Sequence, residues 1–155
     1  MSIDREIRYK VKIDLIEKRI DELEEWLNIP IDDFILDEKT KLAVYKAFQE
    51  IVESSMDIIA MICKDMKILP QDDYTNIENL SGKLDINEDV LKQANGLRNR
   101  LIHRYNKTDD RIAFNSIKEI LDDICCVEQL AENKSFSANN VAENVEETQR
   151  FNSIS

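Results

Sequence analysis

The sequence predicts an all-α protein, and three observations carry the prediction. The 155 residues include only two glycines and two prolines, almost none of the punctuation that the tight turns of an all-β or α/β fold require. Charged residues make up 34% and hydrophobic ones 43%, a mix suited to amphipathic helices. Apolar residues recur at alternating spacings of three and four over most of the length. At this size one domain with a sizeable core is the simplest division. Its expected form is a bundle of four main helices, antiparallel where the loops are short, with a short extra helix or loop between the second and third.

In the first helix Tyr9, Ile13, Ile16, Ile20, Leu23 and Leu27 stand 4, 3, 4, 3 and 4 apart, a narrow seam flanked by charge. "NIP" at 28–30 stops it, because the residue before a proline is pushed out of the α region. The second helix is expected from about Asp37 to about Lys67. Tyr45, Phe48, Val52, Ile59, Ile62 and Met66 line one face, and Val44, Ile51, Ile58 and Met61 widen it. A stripe so wide belongs to a central helix that touches more than one neighbour.

The stretch 68–89 breaks the pattern with a proline, a polar cluster and a glycine, leaving room for a short helix around Asn76 to Leu80. Asp85 or Asn87 can cap the third long helix, with Glu88 and Asp89 suiting the positive end of its dipole. Val90, Ala94, Leu97, Leu101 and Tyr105 mark its buried stripe. "NKTDD" at 106–110 interrupts, with Thr108 or Asp109 as the next cap, and the last helix turns Ile117, Ile120, Ile124, Val127 and Ala131 inward. The helical domain is thus expected over 1–132. From 133 to 155 the chain is rich in Asn, Ser and Glu without a sustained period, the composition of a flexible tail.

Several function classes drop out. Glycine scarcity leaves no GxGxxG and no P-loop pattern, and no GxSxG nucleophile motif is present. The cysteines, Cys63, Cys125 and Cys126, are odd in number with two adjacent, which is no disulfide framework. One histidine without an HxxxE or CxxC partner is no zinc pattern, so no metal is expected. No apolar run approaches the roughly 18 residues of a membrane span, and the N-terminal residues carry charge every few positions, unlike a signal peptide. A cytoplasmic protein is the expectation. A net charge of −11 opposes general coating of nucleic acid while leaving room for a local basic site.

That local site stands out at residues 97–107, "LRNRLIHRYNK". Residues 98–107 hold Arg98, Arg100, Arg104 and Lys107 and no acid, a local charge of +4, while the other 145 residues sum to −15. The same stretch holds the one histidine, His103. Imidazole accepts and donates a proton near neutral pH, and arginine forks grip a phosphate and stabilise extra charge at phosphorus. RNA carries its own nucleophile in the 2′-hydroxyl. Asn99 and His103, four apart, share a helix face, whereas Arg98 and His103 lie about 140° apart on a regular helix. A bland reading fits the same residues: cations and a histidine suit any helix C-terminus, and Tyr105 continues the apolar stripe.

"RNRLIHRY" resembles the R-x4-H-x-Y motif of the HEPN superfamily, specifically the HepT-like group. Arg98 matches the motif arginine, Asn99 the polar residue after it, His103 the histidine and Tyr105 the tyrosine. "FILDEKTKLAVYKAFQEIVESSMDII" is similar to the family's long second helix and "ILPQDDYTNIENL" to its proline-containing connection, so the resemblance runs from the first helix to about Glu132. It implies a HEPN-type bundle forming a homodimer, with the two motifs building one RNase cleft and larger toxin–antitoxin assemblies open. It also implies a toxin cleaving tRNA or mRNA, silenced when an MNT-type nucleotidyltransferase antitoxin transfers AMP to Tyr105. ATP would be used by that partner, and this chain would need no cofactor. His103, Arg98 and Asn99 would form the catalytic set, with Arg100, Arg104 and Lys107 guiding RNA. Two other readings stay open: a catalytically silent HEPN module that only binds or dimerises beside a nucleotidyltransferase, and a helper holding nucleotide phosphates.

Overall fold

The structure, a computed structural model, describes residues 3–103, 109–124, 127 and 129–133. Among them there are helices and no strands. Helix α1 (Ile3–Trp26) buries the seam of Tyr9, Ile13, Ile16, Ile20 and Leu23, and Leu27 completes it one step past the helix end. Pro30 stands at the N-cap of a short helix beyond those the sequence pattern predicts, α2 (Ile31–Leu36). Periodicity cannot reveal one and a half turns. Its signals are the proline at the start and Asp32 and Asp33 in the first turn. Phe34, fully buried, is its anchor, with its ring 4.9 Å from that of Phe114 and 6.1 Å from that of Tyr45.

Asp37 closes α2 and opens α3 (Glu38–Asp65), accepting from the Thr40 amide at 3.0 Å and its hydroxyl at 2.6 Å. Those bonds to the ionised form hold its carboxyl below the usual carboxylate range. The wide stripe makes α3 the hub: it packs on α1 and α2, on α4 (Asp73–Ser81) and on α5 (Glu88–Ile102). Its C-terminus closes in a Schellman turn, Ile68 N donating to Cys63 O at 2.9 Å and Lys67 N to Lys64 O at 3.1 Å. Lys67 takes the left-handed conformation there, at φ 61°. Cys63 is buried and free, and burial raises its thiol pKa.

The extra helix α4 is longer than the stretch expected around 76–80. Asp72 caps it by accepting from Thr75 N at 3.0 Å. The buried Asn76 side chain ties it to the loop, accepting from Gln71 N at 2.7 Å and donating to Gln71 O at 3.2 Å. Asn87, of the two candidates, caps α5 through Val90 N. The last helix, α6, spans 110–124 and is helical again at 127 and 129–133. Asp109 stands before it, accepting from Arg111 N at 3.0 Å. Ile117, Ile120, Ile124, Val127 and Ala131 are all buried, as their spacing predicts. Apart from its first residue, the 133–155 tail lies outside the described residues, as do Cys125 and Cys126. No helix among the described residues is long and apolar enough to cross a membrane.

Candidate functional site

The motif region sits where α5 ends, and it ends earlier than its apolar stripe suggests. The helix closes at Ile102, and His103 is its C-cap, at φ −94° and ψ 57°. The His103 amide still donates to Asn99 O at 3.1 Å, so the histidine sits on the last turn with its side chain exposed. Asn99 is half-buried and Arg100 exposed. Arg104, Tyr105 and Lys107 lie outside the described residues.

Arg98 is placed differently from its neighbours, with a side chain only 16% exposed. Its Nη2 donates to Asn95 Oδ1 at 3.0 Å and to Asp73 Oδ2 at 3.3 Å. Its Nη1 stands 3.8 Å from Glu53 Oε1. Three helices converge here: α5 supplies the arginine and Asn95, the first turn of α4 supplies Asp73, and α3 supplies Glu53. A third nitrogen, Nε, is buried without a hydrogen-bond partner.

This clasp around Arg98 is what sequence reasoning missed. Asn95 carried a usable signal: it is three residues before Arg98, within reach on a helix, and it lies on the buried face at 1% exposure. Asp73 is 25 residues away across a loop, and Glu53 farther still, so nothing in one dimension marked them. The chemical consequence is that Arg98 meets negative charge before any ligand arrives. Arg100, two residues on, has no carboxylate within 4 Å among the described residues.

The structure brings Arg98 and His103 onto one end of one helix, but not onto one face. Five residues of a helix that stays regular to Ile102 separate them by about 140° around the axis and 7–8 Å along it. Asn99 and Arg100 lie on the His103 side. Among the described residues no cluster of three His, Cys, Asp or Glu side chains could hold a metal ion.

A family model described as "Ribonuclease HepT-like" matches residues 16–131. A putative RNase of Archaeoglobus fulgidus is 36% identical over 119 residues, 75% of this chain and 84% of the relative. A tRNA nuclease HepT of Aphanizomenon flos-aquae is 31% identical over 114 residues, 70% of this chain and 76% of the relative. Among solved structures, a tri-AMPylated HEPN toxin of Shewanella oneidensis in complex with MNT antitoxin superposes with a TM-score of 0.74 at 21% identity. That match covers 86% of this chain and 99% of the other. At that identity the likeness establishes the all-α HEPN fold.

Proposed function

The chain belongs to the HepT-like ribonuclease family, and from that premise we propose that it is the toxin of a HEPN/MNT toxin–antitoxin pair. In this reading it is an endoribonuclease that cuts RNA without a metal. His103 takes the proton of a 2′-hydroxyl, whose oxygen bonds to the adjacent phosphorus as the bond to the 5′-oxygen breaks. The departing oxygen receives a proton, leaving a 2′,3′-cyclic phosphate and a 5′-hydroxyl. Arg98 balances the charge that builds on the phosphate oxygens, and Asn99 orients the imidazole or a phosphate oxygen. The observation that carries the reading is an exposed imidazole on the last turn of α5, beside an Arg100 that has no carboxylate partner among the described residues and one helical face away from Arg98.

The same geometry supports a homodimer. An arginine held by Asp73 and Asn95 on one face serves a histidine on another most readily when a second motif faces the first. Tyr105, two residues beyond His103, is the proposed target of AMP transfer by an MNT-type nucleotidyltransferase antitoxin that uses ATP. Added bulk and phosphate charge there would keep RNA out. The name of the Aphanizomenon flos-aquae relative, a tRNA nuclease, favours tRNA over mRNA as substrate, and the proposed setting is the cytoplasm.

A catalytically silent module is the second reading, and the clasp favours it: an arginine already paired with carboxylates can be purely architectural. The test is incubation of purified protein with total RNA and with tRNA. Cleavage is expected from the wild type and its loss, by at least a hundredfold, from a folded His103→Ala variant. Undiminished cleavage by that variant overturns the mechanism, and no cleavage by the wild type leaves the silent module standing.

A further inference from the structure

Beside the motif, α5 and α6 leave a groove of about 380 Å³, within the range of about 300–1,000 Å³ that small ligands occupy. Leu97 and Ile120 form an apolar floor, Gln93 and Ser116 add hydrogen-bonding groups, and Arg100 stands at the rim. No acid lines it among the described residues. Lys92 also borders it, but its ammonium is held by Glu78 at 2.7 Å and Glu88 at 2.9 Å, so among the described residues Arg100 is the lining cation without a carboxylate partner. Gly96 opens the wall: Tyr74 Oη and Arg100 Nη1 come within 3.6 and 3.7 Å of where its Cβ would stand.

The groove is in register with His103. From Gly96 to His103 is seven residues, about 20° short of two full turns, so the two lie on nearly one line along α5. Arg100 sits between them, about 40° from Gly96 and one turn short of the histidine. Arg98 is about 160° from Gly96 and cannot look into the groove.

We infer that the α5–α6 groove is the subsite for a nucleotide next to the scissile one in a single-stranded RNA, Arg100 gripping its phosphate. This rests on the nuclease reading and deepens it. Leu97 and Ile120 lie beneath the base, which needs no sequence to be accepted on an apolar surface. Gln93 and Ser116 each offer both a donor and an acceptor to a base edge or a ribose hydroxyl. The strand leads from there, past Arg100, to the imidazole. The same floor seating a second copy of the chain is the competing occupant.

The experiment uses a fluorescein-labelled 20-nucleotide single-stranded RNA, titrated by anisotropy against the full chain carrying His103→Ala to prevent cutting. Arg100→Gln and Gln93→Glu are added singly and together; both side chains are exposed, so folding is not at risk. The expected result is at least tenfold weaker binding for the double substitution. For Arg100→Gln the slope of log affinity against log salt should flatten by about 0.7, the value for one phosphate contact on a single strand. Unchanged affinity and slope overturn the subsite, as does a shift in oligomeric state with RNA binding intact. Cleavage of total RNA by the chain with His103 intact is scored separately. If it persists while the groove variants bind normally, the subsite fails and the nuclease reading survives. A wild type that neither binds nor cuts removes both.

Discussion

Two arginines of this protein are alike in composition and opposite in tightness. Arg5 and Arg98 both pack against α3, both face carboxylates, and both leave a buried Nε without a hydrogen-bond partner. At Arg5 the circle is closed. Its guanidinium pairs with Asp65 and donates to Met61 O at 3.0 Å, while the Tyr9 hydroxyl donates to the same carboxylate at 2.6 Å. That cluster bolts the start of α1 to the end of α3. At Arg98 the contacts are longer, 3.3 Å to Asp73 and 3.8 Å to Glu53, and both partners are more exposed than Asp65. A carboxylate shared tightly by two donors has no vacancy for a ligand. A looser clasp can exchange one anion for another, which is what binding a phosphate requires. Residue type does not separate these two arginines; if Arg98 handles phosphate as proposed, the closeness of the surrounding carboxylates is what sets it apart from Arg5.

The widest expected gap between the two comes from removing each in turn. Arg98→Ala should lower RNA cleavage by about 10²–10³, the usual loss when one donor to a developing charge is deleted, at a stability cost of only about 1 kcal/mol from the buried Asn95 oxygen that loses its donor. Asp65→Ala should do the reverse. It strands a mostly buried guanidinium and a buried phenol, at about 2–3 kcal/mol; Arg5 is one-quarter exposed, which keeps the loss below that of a fully buried pair. Urea titration of both variants alongside cleavage assays checks this. A cleavage loss in Asp65→Ala matching that of Arg98→Ala, in protein that is still folded, would erase the distinction.

The closed cluster also has a pH signature. Burial first, and then the bond to Asp65, push the Tyr9 hydroxyl well above its ordinary value of 10.0. A group whose pKa is raised by folding contributes stability that is whole below the unfolded value and fades as pH climbs past it. Wild type should therefore exceed Tyr9→Phe by about 1 kcal/mol at neutral pH. That margin should shrink from pH 10 upward. A margin that is constant through pH 11 would mean the phenol ionises alike in both states.

How legible this was depended on distance along the chain. The seams of α1, α3, α5 and α6 are repeats of three and four, and nearly every residue placed on them is buried. Met61 and Met66 are the exceptions on α3, half-buried near its C-terminal end. Helix α2 was invisible because six residues cannot establish a period, and Phe34 gains its meaning from the rings of Tyr45 on the next helix and Phe114, eighty positions away. The site divided in the same way. Arg98, Asn99, Arg100 and His103 were readable as one short motif, and the 140° separation of Arg98 from His103 follows from helix geometry alone. What could not be read was that Asp73 and Glu53 reach Arg98, since charged residues on an acidic chain look like solvated surface until the fold brings them beside a partner.

The finest test asks whether the clasp competes with RNA or serves it. Asp73→Asn keeps an oxygen to accept from Arg98 Nη2 and removes the charge, so the guanidinium should stay in place while its field toward a phosphate grows. Asp73 is 36% exposed, and an ion pair so open contributes about 0–1 kcal/mol. The expected outcome is therefore modest: RNA binding strengthened by about threefold to fivefold in the His103→Ala background, with the unfolding midpoint nearly unchanged. Weaker binding would reverse the assignment. Asp73 would then act as a positioning residue, holding Arg98 where a phosphate needs it, and the looseness of the clasp would be incidental to its task.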